Sequence, residues 1–143
     1  MTHPPYRLVD ADYLRDLALL RAVRETVFVK EQKVPIELEW DALDPQSRHV
    51  LALDADGLPI GTGRLTPDRR IGRMAVLPHW RGHGVGAAIL RRLLDIARGL
   101  GHDAVELHAQ VDAIGFYERN GFTAWGEAFE EAGILHRHMR RRL

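Results

Sequence analysis

Residues 81–86 read Arg-Gly-His-Gly-Val-Gly, three glycines at alternate positions immediately before a helical pattern. Glycine inside a helix costs roughly 0.5–1 kcal/mol relative to alanine, so a bare helix start does not explain three of them. A loop that feeds a helix gathers free backbone N–H groups at its N-terminus, where about half a positive charge also accumulates. Such a site binds phosphate when no Cβ blocks its approach, and glycine at 82, 84 and 86 meets that condition. Arg81 adds a permanent cation at the rim. Turn geometry alone is the competing explanation, because short glycine motifs also arise without a ligand. Other chemistry-bearing groups follow: Tyr117 in FYERNGF, His108 two residues after Glu106, and His136-x-His138. A phenol is protonated at neutral pH and can give a proton or a hydrogen bond to developing negative charge. An imidazole titrates where a general base is useful.

The elements that must hold these groups can be read from periodicity. Arg70–Leu77 is a predicted strand, closed by Pro78, that feeds the glycine loop. From Val85 the period changes: Val85, Ile89, Leu93 and Ala97 lie four apart with Leu90 and Leu94 beside them. This predicts a helix with a broad apolar face, stopped by Gly99 and Gly101. Ala104–Ala109 alternates Val105, Leu107 and Ala109 against Glu106 and His108, so the last two share one strand face. A short helix around Asp112–Arg119 carries Tyr117 and ends at Asn120-Gly121. Upstream, Tyr6–Val9 reads as an opening strand, and Asp10 or Asp12 can cap the helix after it. That helix runs on Leu14, Leu17, Leu20, Arg24, Val27 or Phe28, and Glu31 to about Gln32, with Pro35 ending it. Residues 36–47 form an acidic connection. His49–Asp54 and Ile60–Thr66 are strands joined at Asp56-Gly57, and Phe122–Phe129 with Ile134–Met139 close the chain as an antiparallel pair. The order predicts an α/β (α+β) fold with a mixed, mostly antiparallel sheet flanked by helices.

A chain of 143 residues suits one domain, 1–143, with one core. At 45% hydrophobic and 28% charged it has the composition of a soluble globular protein. Twenty basic residues balance twenty acidic ones, so there is no global footprint for nucleic acid. Arg137, Arg140, Arg141 and Arg142 read as a solvated basic tail. Cysteine is absent, which excludes disulfides, thiolate nucleophiles and Cys-ligated metals. The start, MTHPPYRLVDADYL, lacks the pattern of a signal peptide. No run approaches the ~20 apolar residues that span a bilayer. A cytoplasmic protein without a membrane or nucleic-acid partner is expected, and both a monomer and a homodimer are compatible with the sequence.

Among phosphate ligands, a nucleoside-triphosphate loop is out because no Gly-Lys-Ser/Thr follows. Gly82-x-Gly84-x-x-Ala87 matches the dinucleotide fingerprint. However, Pro78-His79-Trp80-Arg81 separates the strand from the first glycine, and too few βα units remain for a doubly wound sheet. The loop also resembles the R/Q-x-x-G-x-G/A acetyl-CoA loop of the GNAT superfamily of N-acetyltransferases, matched by Arg81, Gly84 and Gly86. The similarity extends through RAVRETVFVKEQ at 21–32, GRMAVLPHWRGHGVG at 72–86, HAQVDAIGFYERNGF at 108–122 and EEAGILHRHM at 130–139. Together these resemble the small bacterial ElaA/YjcF-like branch.

The resemblance implies the GNAT fold, with a sheet of six or seven strands, about four helices, and acetyl-CoA in a cleft where two parallel strands splay apart. It implies that Met74, Ala75 and Val76 pair with the pantetheine amides. Arg81, Gly82, His83, Gly84, Val85, Gly86 and Ala87 would hold the pyrophosphate. Tyr117 matches the family's general acid for the departing thiolate and would also touch the cofactor; packing with Phe116 and Phe122 is the alternative. His108 is the candidate base or acceptor contact. Arg24, Glu31, Gln32 and His136 fall toward the acceptor side. In the acidic connection, Glu37, Glu39, Asp41 and Asp44 either attract a cationic amine or form a solvated loop. No metal is expected, since His136 and His138 lack an obvious third ligand. Many GNAT proteins carry Asn near the start of the helix after strand 104–109, where this chain has Gln110 and Asp112. The implied activity is acetyl transfer from acetyl-CoA to a primary amine, with a non-catalytic acyl-CoA-binding module as the rival.

Overall fold

In the computed structural model, which describes residues 4–143, the hydrophobic alternations become strands β1 (Tyr6–Ala11), β2 (Arg48–Asp54), β3 (Pro59–Leu65), β4 (Arg70–Val76), β5 (Ala104–Gln110), β6 (Thr123–Glu131) and β7 (Ile134–Arg142). The first three residues of the stretch read above as leaderless lie outside the described residues. The helices are α1 (Leu17–Arg24), α2 (Ile36–Glu39), α3 (Val85–Gly99) and α4 (Ile114–Arg119). The strands form one sheet in the order β1-β2-β3-β4-β5-β7-β6. Every neighbouring pair is antiparallel except β4–β5. No helix among the described residues is long and apolar enough to cross a membrane.

The parallel pair positions everything that follows. Only Arg70↔Glu106 and Ile71↔Leu107 are paired between β4 and β5; beyond them the strands part. Arg73 has φ 50°, and the register between β3 and β4 slips between Thr62 and Arg64. An irregularity of this kind bends a strand and raises its twist, which turns the rest of β4 away from β5.

α3 buries the apolar face its spacing predicts, including Val85, Ile89, Leu90, Leu93, Leu94 and Ala97, against the sheet. It lies unusually close over β3. A Cβ placed on Gly61 would come within 2.9 Å of Ile89, and one on Gly63 within 2.6 Å of Met74 and 2.8 Å of Ile89. A side chain at either position would force the neighbouring side chains of α3, and at 63 also Met74 of β4, to shift.

The structure corrects three expectations. The first helix begins at Leu17, and Leu14 is 81% exposed. Its expected caps do other work: Asp10 pairs with Arg92 of α3, and Asp12 accepts from the Arg15 N–H in the turn before the helix. After Arg24 the helix widens into a π-helical stretch, Glu25–Glu31, in which the Gln32 N–H reaches back to the Val27 carbonyl. Periodicity cannot separate this from an α-helix, because both bury one face.

The acidic connection is not a solvated loop. Glu39 is 3% and Asp44 0% exposed. Arg24, itself fully buried, donates to Glu39 at 2.7 Å and to Asp44 at 2.7 Å. Arg64 donates to Asp41 at 2.8 Å and Asp44 at 2.9 Å. Buried carboxylates persist only when paired and hydrogen-bonded in this way.

The basic C-terminus is not a tail. Arg137–Arg142 continue β7 and pair with Ala104–Ala109 of β5. Arg137 donates to the Gly126 carbonyl and Arg141 to the Asn120 carbonyl. β5 finds in Arg137–Arg142 and His136 a partner along its full length, Ala104–Gln110.

Candidate active site

A cleft of about 1070 Å³ opens where β4 and β5 part. One wall is the free edge of β4, where Gly72–Val76 have no partner strand on the β5 side. At one end lies the glycine loop. Gly82 and Gly84 have φ of 81° and 80°, a left-handed conformation that non-glycine residues adopt at a cost of roughly 1–2 kcal/mol. Turn geometry therefore requires two of the three glycines. The space in front of both is open, with no heavy atom within 4 Å of the point where a Cβ would sit. Gly86 has no such strain, and its Cβ would only meet the Phe116 ring at 3.6 Å. Gly84 caps α3, and the first amide bonded within the helix is Ala88, to the Gly84 carbonyl at 3.0 Å. The N–H groups of Val85, Gly86 and Ala87 are thus left without intrahelical acceptors at the positive end of a fifteen-residue helix. This arrangement fits a pyrophosphate.

Arg81 does not stand free at that rim. Its guanidinium forms a two-pronged ion pair with Glu31, at 2.8 and 2.6 Å, and its Nε donates to the Val76 carbonyl at 3.0 Å. The guanidinium in turn holds the Glu31 carboxyl below its ordinary pKa. His83 packs edge-on against Trp80 and does not line the cleft.

Tyr117, on α4, is 9% exposed and meets Phe116 and Phe122 edge-on at 5.0 and 5.9 Å between ring centroids. It is both a packed aromatic and a cleft-lining residue, so its two sequence readings are not exclusive. Among the described residues its hydroxyl has no hydrogen-bond partner. Burial pushes its pKa up to about 12.

On the other side of the cleft, His108 projects from β5 between two charged groups. Its Nδ1 lies 3.1 Å from Glu131 Oε1, and its Nε2 lies 3.4 Å from an Arg70 nitrogen. A carboxylate can only accept, so Glu131 fixes the hydrogen of a neutral His108 on Nδ1 and leaves Nε2 with a lone pair. The His108 hydrogen bond keeps the Glu131 carboxyl below its usual pKa despite burial, aided by the charge of Arg70. Glu131 is carried over the cleft by a tight hairpin whose central residues, Ala132 and Gly133, have φ of 53° and 76°. His136, 8% exposed, donates from Nδ1 to the Ile134 carbonyl at 2.7 Å and turns Nε2 toward Glu131 at 3.8 Å. Gln110 Nε2 donates to Gln32 Oε1 at 2.8 Å.

The structure thus brings Glu31, Gln32, Met74, Ala75, Val76, the glycine loop, His108, Tyr117 and His136 to one cleft. It does not bring Arg24, whose guanidinium is consumed by the buried pairs and lies against Trp40. Glu37 is exposed and also outside the cleft. Glu131 and Arg70 were missed by sequence reasoning, since no local spacing links either to His108. Among the described residues no three His, Cys, Asp or Glu are placed to hold a metal ion.

Residues 12–143 match the family model described as acetyltransferase (GNAT) domain. The chain is 40% identical, over 121 residues spanning 82% of it and 86% of the relative, to the uncharacterized N-acetyltransferase YjcF of Bacillus subtilis strain 168. Its fold is similar to that of an acyl-CoA N-acyltransferase from Pseudomonas aeruginosa, with TM-score 0.84, 34% identity and coverage of 96% and 99% of the two chains. Escherichia coli ElaA is similar to the same degree, with TM-score 0.84, 28% identity and the same coverage.

Proposed function

The chain belongs to the GNAT acetyltransferase family, in its ElaA/YjcF-like branch, and on that premise we propose that it transfers an acetyl group from acetyl-CoA to a primary amine. The observation that carries the reading is the placement of open helix amides and an unpaired strand edge on the same cleft as Tyr117 and His108. Acetyl-CoA, when bound, supplies an activated carbonyl and a thiolate leaving group. The amides of Val85, Gly86 and Ala87 take the pyrophosphate, and the free edge of Met74–Val76 takes the amides of the pantetheine arm.

His108 receives the proton that the amine nitrogen loses as it bonds to the carbonyl carbon, while Glu131 holds the ring in the accepting tautomer and steadies the cation that forms. Tyr117 faces the departing sulfur. With a pKa of about 12, against roughly 8.5 for an ordinary thiol, it is too weak an acid to hand its proton over completely. It serves as a hydrogen-bond donor to the developing charge. The C–S bond breaks as the C–N bond forms, the released thiolate takes a proton from solvent and His108 gives its proton back to solvent, so the net products are an amide and a free thiol.

The reading is tested by free-thiol detection with acetyl-CoA and a panel of amines, alongside thermal melts. Binding to the native state alone raises stability by about 2.7 kcal/mol at a hundredfold excess over Kd. Stabilisation by acetyl-CoA without thiol release would leave only an acyl-CoA-binding module, and an unchanged melting point at millimolar acetyl-CoA would remove both.

A further inference from the structure

We propose that the amine acceptor is an α-amino acid, held by its carboxylate on Arg70 with its amino group at His108. The inference rests on the acceptor side of the cleft being the one that holds His108.

The cleft contains several arginines, and most are already neutralised. Arg64 is paired with Asp41 and Asp44, Arg73 with Glu39 and Asp41, and Arg81 with Glu31. Arg70 and Arg119 have no carboxylate within ion-pair distance among the described residues, and of these only Arg70 touches His108. Arg70 is half-buried one residue before β4 and β5 part, opposite Glu106, which lies two residues from His108 along β5. Glu131 feels its charge but does not reach it. A guanidinium carries five donors in a planar fork suited to a carboxylate. Here its side chain makes one contact, at 3.4 Å.

That contact is a poor one for catalysis. It places a donor on the His108 lone pair that must take the amine proton. A ligand carboxylate on Arg70 would draw the guanidinium off Nε2 and free the base in the same step. Charge supports this, because a ligand carboxylate meets in Arg70 a cation with no carboxylate partner among the described residues. Arg70 and His108 are neighbours that touch in the absence of ligand, so a carboxylate and an amine that engage both must lie close together in the ligand, as they do when carried on one carbon in an α-amino acid.

The test is calorimetric titration of the CoA-loaded protein with alanine, leucine, phenylalanine and glutamate, each beside its α-carboxamide and its decarboxylated amine. At least one amino acid should bind tenfold or more tightly than its carboxamide. Arg70→Gln should erase that preference, and Arg70→Lys should restore part of it, with CoA affinity unchanged within about twofold. Equal binding of acid and carboxamide by the unaltered protein, or binding of neither, overturns the proposal without any variant. Equal loss of both ligands in Arg70→Gln overturns it too. Thiol release is followed in parallel. Turnover of simple amines with no preference for the acids would leave the acetyltransferase reading standing and remove this one. Arg70-dependent binding of amino acids without turnover would do the reverse.

Discussion

Arg81 and Glu31, fifty residues apart in the chain, close a two-pronged ion pair between the end of the first helix and the glycine loop. Both side chains are more than two-fifths exposed, so the pair contributes little to stability, on the order of 0–1 kcal/mol. On the proposed donor site its effect is to keep the Arg81 guanidinium engaged with Glu31. Glu31→Gln should release Arg81 and tighten acetyl-CoA several-fold, with a steeper dependence on salt. Titration calorimetry at two ionic strengths checks this; weaker binding in the variant would mean that the pair shapes the loop rather than restrains the arginine.

The glycine loop calls for a paired comparison, since a side chain at 84 meets backbone strain and also enters the space proposed for the pyrophosphate. Gly84→Asn tolerates the left-handed backbone comparatively well and should keep measurable acetyl-CoA binding. Gly84→Glu adds a like charge where phosphate is expected and should abolish it. Circular dichroism would verify that both are folded. Similar affinities in the two would show that the pyrophosphate lies elsewhere.

Tyr117→Phe retains the ring contacts with Phe116 and Phe122 and removes the hydroxyl. Loss of one donor at a developing charge should lower kcat by about 10²-fold, with acetyl-CoA affinity within a few-fold. In the unaltered protein, ionisation of Tyr117 should not enter the rate profile below about pH 11, given its pKa of about 12. A change in kcat under threefold would assign Tyr117 to packing, provided that single-turnover rates agree.

Asp44 gives a pH signature of the buried pairs. Hydrogen bonds and charge from Arg24, with the Asp41 N–H and Arg64, outweigh its burial and bring its pKa from 3.8 down to about 2. The folded value is depressed, so its contribution is complete above pH 4 and is lost as pH falls through 2, amounting to about 2 kcal/mol. Glu39 runs the other way, raised by burial. Asp44→Asn leaves Arg24 and Arg64 short of a partner and should cost about 3–5 kcal/mol at pH 7. In urea unfolding, the difference between the two proteins should be flat from pH 7 to 4 and shrink toward pH 2. A constant gap down to pH 2 would contradict the assignment.

How much of this was legible in the sequence depended on the range of the interaction. The fours of Val85–Ala97 and the alternation of Ala104–Ala109 report which face of a segment is buried, and the structure follows both. Chemistry on those faces was legible too, as with Glu106 and His108 on one side of β5. Pairings across the fold were not. Glu39 and Asp44 look like any solvated acidic residues until Arg24 and Arg64 are brought over them. Glu131 reaches His108 only because β6 and β7 return along β5. The arginines after Met139 resemble a tail because their strand partner lies thirty or more residues earlier.

Gly61 and Gly63 sit beneath α3, away from the cleft mouth, yet they set how deeply that helix rests on the sheet. The helix is also the mount for the amides of Val85, Gly86 and Ala87. A methyl group at Gly61 would crowd Ile89 and Val85 of α3, and one at Gly63 would crowd Ile89 and Leu93 of α3 together with Met74 of β4; any shift of the helix that relieves these contacts moves its N-terminus too. Changes in donor affinity can therefore originate at two positions that no ligand touches, and a screen for altered acyl-CoA preference that samples only cleft residues would overlook them.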